Sequence, residues 1–130
     1  MIERFTRELE AVGGNVHHGR AALDELAARD GVSVTPCLAL IAETGTAVVS
    51  ARLSRGRRPG LVDPVHVIEA TEAQLVPDLA AALRLVGPEL AASSSVTFVT
   101  GPSRTGDIEQ LLIRGVHGPG EVHVVFVEPS

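Results

Sequence analysis

Four short, nearly continuous apolar runs, "CLALIA" (37–42), "VHVIEA" (65–70), "SVTFVT" (95–100) and "VHVVFVE" (122–128), are set among segments with helical spacing. A strand with one wet face alternates apolar and polar residues, whereas a continuous run suits a strand covered on both faces. "TAVVSARL" follows the first run after the break at "ETG", so the two form either a hairpin or one interrupted strand. "NVHH" adds a short strand near the start.

The helical segments complete the alternation. In "IERFTRELEAV" (2–12), Ile2, Phe5, Leu9 and Val12 share one face, and Gly13-Gly14 supplies a stop. "RAALDELAARDG" (20–31) reads as a second helix ending near Gly31. "TEAQLVPDLAAALRLVG" (71–87) begins with Thr71 and Gln74 at capping-box spacing, with Pro77 confined to its first turns or kinking it. "IEQLLIRG" (108–115) is a short helix before the last strand. Strands alternating with helices imply an α/β fold in layers, with a largely parallel sheet flanked by helices. A right-handed crossover is expected from the strand at 95–100, through the helix at 108–114, to the strand at 122–128.

At 130 residues one domain is expected, spanning 1–130, with short linkers and no internal repeat. Its core must be aliphatic, since Trp and Tyr are absent and there are three Phe. A net charge of −5 disfavours general phosphate-backbone binding, so no nucleic-acid partner is expected. The single cysteine, Cys37, allows no internal disulfide and no Cys-rich zinc or iron–sulfur site. No apolar stretch is long enough to span a bilayer, and "MIERFTRELE" is too charged for a signal-peptide core, so a cytoplasmic protein without membrane insertion is expected.

"TGPSRTGDIEQ" (100–110) lies between an apolar strand and a helical pattern, where ligands gather in open parallel sheets. Helix amides there attract anions, and the Arg104 guanidinium could hold a carboxylate or phosphate in a two-pronged contact. The same residues also suit simple punctuation, with Ser103 or Thr105 as helix cap, Asp107 complementing the dipole and Arg104 solvated. "AETGT" (42–46) also follows an apolar strand and brings Glu43 to the end of the sheet, as a base, a nucleophile or a turn residue paired with an arginine. Arg52, Arg55, Arg57 and Arg58 around "SRGRRPG" form a basic patch that either steers an anion, docks an acidic partner or is merely solvated. The five histidines show no tight metal spacing, and no metal site is expected. His66 and His123 lie within apolar strands, where structural histidines are commoner than ligands; His117 falls in the turn-rich "GVHGPGE".

Taken together, "ELEAVGGNVH", "AETGT", "PVHVIEA" and "GPSRTGDIEQLLIRGVHGPGEVHVVFVE" resemble the lactate-utilisation LutC/YkgG family of LUD-domain proteins. The resemblance implies a fold like that of the NagB, ribose-5-phosphate isomerase and CoA-transferase group. It also implies a part in oxidising L-lactate to pyruvate beside LutA-like and LutB-like subunits, which would carry the iron–sulfur clusters; no cofactor is expected in this chain. The family's motifs fall on Glu43, Thr44, Gly45 and Thr46, on Gly101, Pro102, Ser103, Arg104, Thr105, Asp107, Ile108 and Glu109, and on His117, Gly118 and Pro119. On this basis a small anionic ligand is expected at Thr44, Gly45, Thr46, Gly101, Ser103, Arg104, Thr105, Asp107 and His117, with Glu43 in a catalytic position by analogy with the glutamate of CoA-transferases. A free-standing CoA-transferase-like or sugar-phosphate isomerase-like enzyme and a non-catalytic scaffold subunit are the alternatives, and a homo-oligomer is compatible with any of them. Family members carry more chain between the first "VH" strand and "AETGT" than this sequence does.

Overall fold

Helix α1 (Ile2–Ala11) forms where the sequence spaces its apolar residues three and four apart, and the face so created turns Phe5 and Leu9 entirely inward. These two side chains fill the space between two β-sheets. The computed structural model describes residues 1–50, 65–92, 95–102 and 120–129, together with the backbone of 105–107. Its remaining elements are β1 (Asn15–His18), α2 (Arg20–Ala27), β2 (Val32–Pro36), β3 (Ala39–Ile41), β4 (Thr46–Ser50), β5 (Val65–Ala70), a 3-10 turn (Glu72–Gln74), β6 (Leu75–Val76), α3 (Leu79–Ala92), β7 (Val96–Val99), β8 (Thr105–Asp107) and β9 (Glu121–Phe126).

One sheet has four strands in the order β1-β9-β5-β2, and every pairing in it is parallel. Alternate residues of its strands therefore serve two cores. Val65, Val67, Val125 and Val127 meet Leu23 and Leu26 of α2 on one face. Ile68, Ala70, Val122, Val124 and Phe126 point the other way, toward α1. The Phe5 and Phe126 rings meet edge to face there, with centroids 5.8 Å apart.

The other sheet has five strands in the order β6-β3-β4-β7-β8. Leu40, Ala47, Val49 and Val99 close the central core from this side, while Ala39, Ile41, Val48 and Val96 pack under Ala82 and Val86 of α3. The layers thus run α2, parallel sheet, α1 with the shared core, second sheet, α3. The inner strands β9, β5, β3, β4 and β7 are covered on both faces, which is why they read as continuous apolar runs.

The layered α/β architecture with a parallel sheet flanked by helices is as expected, and "CLALIA" and "TAVVS" form the hairpin β3–β4. Three expectations are corrected. First, the second sheet is mostly antiparallel: β4 pairs antiparallel with both β3 and β7, and β7 with β8. Second, β7 and β9 lie in different sheets, so no crossover joins them as parallel neighbours. Third, the helix expected over 71–87 begins only at Leu79. The capping box of Thr71 and Gln74 is present but closes a single 3-10 turn, and β6 follows it. Pro77 cannot donate an amide to a continuing helix, so the chain restarts at Asp78, whose Oδ1 accepts from the Ala81 amide at 2.9 Å. Gln74 has a second role: its Nε2 donates to the Cys37 carbonyl at 2.8 Å, tying the exit of β5 to the entry of β3.

The arginines of the basic patch and the helix expected at 108–115 lie outside the described residues. Among the described residues no helix is long and apolar enough to cross a membrane.

Candidate functional site

The hairpin turn at 42–45 is fixed by backbone bonds on two sides. The Gly45 amide donates to the Ile41 carbonyl at 2.9 Å, and the Ala42 and Glu43 amides donate to the Val76 and Pro77 carbonyls at 2.9 and 3.2 Å. Gly45 has φ of +68°, and a Cβ there would stand 2.4 Å from the Leu9 nitrogen and 2.8 Å from the Glu8 carbonyl carbon. Only glycine admits so close a backbone approach, so the turn is seated directly on α1.

The end of β7 meets the same helix. Gly101 has φ of +77°, and a Cβ there would lie 2.8 Å from the Val12 carbonyl oxygen. Because β4 and β7 run antiparallel with Ala47 opposite Val99, the start of β4 lies beside the end of β7. The hydroxyls of Thr46 and Thr100 are 2.7 Å apart, and those of Thr44 and Thr46 are also 2.7 Å apart. A chain of three hydroxyls therefore joins the two motifs at one end of the second sheet. Thr46 is buried, while Thr44 and Glu43 are exposed. Along such a chain each hydroxyl donates once and accepts in turn, so one end can present a donor or an acceptor to a bound group.

Of the expected site residues, Glu43, Thr44, Gly45, Thr46 and Gly101 come together here. Thr105 and Asp107 belong to β8, opposite Val99 and Thr97 respectively. This corrects the local geometry: β7 is paired antiparallel with β8 (Thr105–Asp107), so the segment after Gly101 returns as a strand and is not the step from a parallel strand into a helix. Thr105, held in a strand, caps no helix. The argument from the carboxyl ends of parallel strands likewise does not apply to β7, whose neighbours both run antiparallel to it. Ser103, Arg104 and His117 lie outside the described residues.

Sequence reasoning passed over a polar array on the parallel sheet. Glu121 and His123 are two apart on β9 and therefore share a face, and the pairing of β1 with β9 brings His17 alongside. The His123 Nε2–H donates to Glu121 at 2.8 Å, which leaves Nδ1 to accept from the His17 Nε2–H at 2.9 Å. Arg29 completes the array at 3.4 Å from Glu121. Burial, then the nearby His123, Arg29 and His18, hold the His17 pKa below its usual value. The hydrogen bond from His123 is the largest cause of the lowered Glu121 pKa. The alternation "EVH" together with the pairing of two strands was the available signal. His66 is buried and its Nε2 lies 2.7 Å from the Thr35 hydroxyl. Burial pushes the Cys37 thiol up to about 12. Among the described residues no cluster of three or more His, Cys, Asp or Glu could hold a metal ion.

The chain is similar in sequence and fold to known proteins. The lactate utilization protein C of Deinococcus radiodurans is 34% identical over 95 residues, which cover 72% of this chain and 45% of that protein. The protein of the same name from an Exiguobacterium species is 35% identical over 107 residues, covering 79% of this chain and 46% of its own length. The chain thus spans just under half the length of these curated relatives. A crystal structure of a DUF162 family protein from D. radiodurans superposes with a TM-score of 0.77 at 18% identity, covering 98% of this chain and 96% of the other, a likeness of fold. The sequence profile of the LUD domain matches residues 2–127, and the chain belongs to the LUD domain family.

Proposed function

We propose that this chain is a component of lactate utilisation that binds a small carboxylate or another anionic ligand where the 42–46 turn meets the end of β7. The observation that carries the reading is the hydroxyl chain Thr44–Thr46–Thr100, which joins two otherwise separate motifs beside an exposed carboxylate, Glu43. The similarity to proteins named lactate utilization protein C supplies the substrate class.

In this reading Arg104 holds the carboxylate, and the hydroxyls of Ser103, Thr105 and Thr44 complete its cradle. Glu43 accepts a hydrogen bond from the ligand's hydroxyl and positions it, or takes its proton as the 2-hydroxyl becomes a ketone. Asp107 and His117 border the site. Oxidation of L-lactate to pyruvate releases two electrons and two protons; the electrons leave the bound lactate for redox groups of LutA-like and LutB-like iron–sulfur partners, and Glu43 and solvent take the protons. It acts as a cytoplasmic subunit of that system and not as a catalyst alone.

The test is lactate-dependent reduction of an electron acceptor by the reconstituted system of the three kinds of subunit. Arg104→Ala and Glu43→Gln should each lower the rate at least ~10-fold, the scale of a lost charged contact or a lost proton acceptor. An unchanged rate with Arg104→Ala, in a chain shown by circular dichroism to be folded, refutes the proposal.

A further inference from the structure

The carboxyl edge of the parallel sheet holds a second feature, unrelated to the hydroxyl chain. β1, β9 and β5 end side by side at His18, Phe126 and Ala70. From β1 the chain turns through Gly19 into α2, which covers one face of the sheet. From β5 it passes through the 3-10 turn into β6, on the other face. Where connections from strands of a parallel sheet leave toward opposite faces, a crevice opens outside the carboxyl ends. Here β9 emerges between them, its Phe126 carbonyl accepting from the Gly19 amide and its Val127 amide donating to the Ala70 carbonyl, both at 2.8 Å.

The crevice is present as a cleft of about 580 Å³ lined by His18, Gly19, Arg20, Glu72, Phe126, Val127 and Glu128. That volume is in the range of small-metabolite sites. Its chemistry is two-sided. His18 is stacked on Phe126, with centroids 5.6 Å apart and planes 21° apart, so an imidazole stands fixed at the rim. Arg20 is beside it and makes a 3.4 Å contact to Glu69 in which both side chains are partly exposed. Such a pair adds little stability and yields to a competing anion. Nothing lies within 4 Å of the place a Cβ on Gly19 would occupy, so a ligand can approach the backbone there. Glu72 and Glu128, both exposed, bring two carboxylates to the same lining.

We propose that this crevice binds a small anion that also carries hydroxyl or ammonium donors, with the anionic group against Arg20 and His18 and the donors on Glu72 and Glu128. A bare anion would meet two carboxylates, and a bare cation would meet the guanidinium. A molecule bearing both kinds of group satisfies both walls. None of these residues belongs to the Glu43 and Thr46 site, so the two assignments stand or fall separately.

The experiment is a two-dimensional 1H–15N and imidazole 1H NMR titration of the full chain with four probes: glycerol 3-phosphate, L-serine, inorganic phosphate and glycerol. Glycerol 3-phosphate or L-serine should shift the Gly19 amide and His18 ring signals saturably below about 10 mM. Binding of glycerol 3-phosphate would assign hydroxyls as sufficient donors, and binding of L-serine, which carries a hydroxyl and an ammonium group, where glycerol 3-phosphate does not bind would assign the ammonium group. Arg20→Ala and Glu72→Gln should each weaken that binding about tenfold, whereas Thr46→Val should leave it unchanged. The proposal is overturned if neither probe saturates, if inorganic phosphate or glycerol alone binds as tightly, or if binding survives both crevice substitutions.

Discussion

Replacing Gly45 by alanine should be among the most damaging single-methyl additions to this protein, and the expected cost can be assembled from the geometry. At φ of +68° an L-residue costs about 1 kcal/mol relative to glycine. The new methyl would also stand 2.4 Å from the Leu9 nitrogen, where ordinary contact begins near 3.4 Å, so α1 and the turn must part by about 1 Å. α1 holds Phe5 and Leu9, both essentially fully buried. Burial of two such side chains stabilises by roughly 3–6 kcal/mol in all, and a gap of that size forfeits a quarter to a half of their contacts. Strain and lost packing together give about 2–4 kcal/mol. Urea unfolding followed by far-ultraviolet circular dichroism suits a chain without Trp or Tyr. Gly87→Ala is the control: its chain neighbours and its own helix backbone aside, no described atom lies within 4 Å of that added methyl, and the helix-propensity gain of alanine is offset by the Pro88 ring that follows, so a change within about 1 kcal/mol is expected. The reasoning fails if Gly45→Ala unfolds within about 1 kcal/mol of the parent.

Three other outcomes follow from the geometry. Thr46→Val removes the middle hydroxyl and leaves Thr44 and Thr100 without their shared partner, costing about 1–2 kcal/mol in urea unfolding and, under the proposed function, weakening lactate binding by calorimetry; Thr46→Ser should restore both. Because the folded-state pKa of His17 lies below its ordinary 6.5, the unfolded chain binds more protons near pH 6. Its contribution is therefore complete above pH 6.5 and lost as pH falls below it, so urea midpoints should drop from pH 7.5 to 5.5, and His17→Gln should flatten that slope. Cys37, with its thiol pushed up to about 12, should resist iodoacetamide at pH 8 in the native chain and react readily in urea.

The sequence made some parts of this molecule legible and hid others for identifiable reasons. Helix α1 could be read because its apolar spacing has one interpretation, and α2 because Gly31 lies soon after its last turn. The hairpin β3–β4 was half legible: the break at "ETG" was plain, but a doubly covered strand carries no mark of the direction of its neighbour. For the same reason the second sheet could not be told from an extension of the first, and the partner of β7 was misread. β2, "VSVTP", is only half apolar and was not recognised as an edge strand. In the site, Glu43, Thr46 and Gly101 could be singled out, but their common seat on α1 could not, since it depends on two glycine backbones touching Leu9 and Val12. The histidine array depends on the pairing of strands more than a hundred residues apart, Asn15 with His123 being one register pair.

That shared seat means the two candidate-site motifs take their relative position from a third element that contributes no residue to the proposed chemistry. Gly45 rests on Glu8 and Leu9 in the last turn of α1 and Gly101 on its cap residue Val12, about one helical turn, ~5 Å, farther along. α1 thus serves as the ruler that sets the spacing of the two turns. Substitutions on the buried face of residues 2–12 would alter what the site can hold while every residue of "AETGT" and "TGPSR" stayed the same.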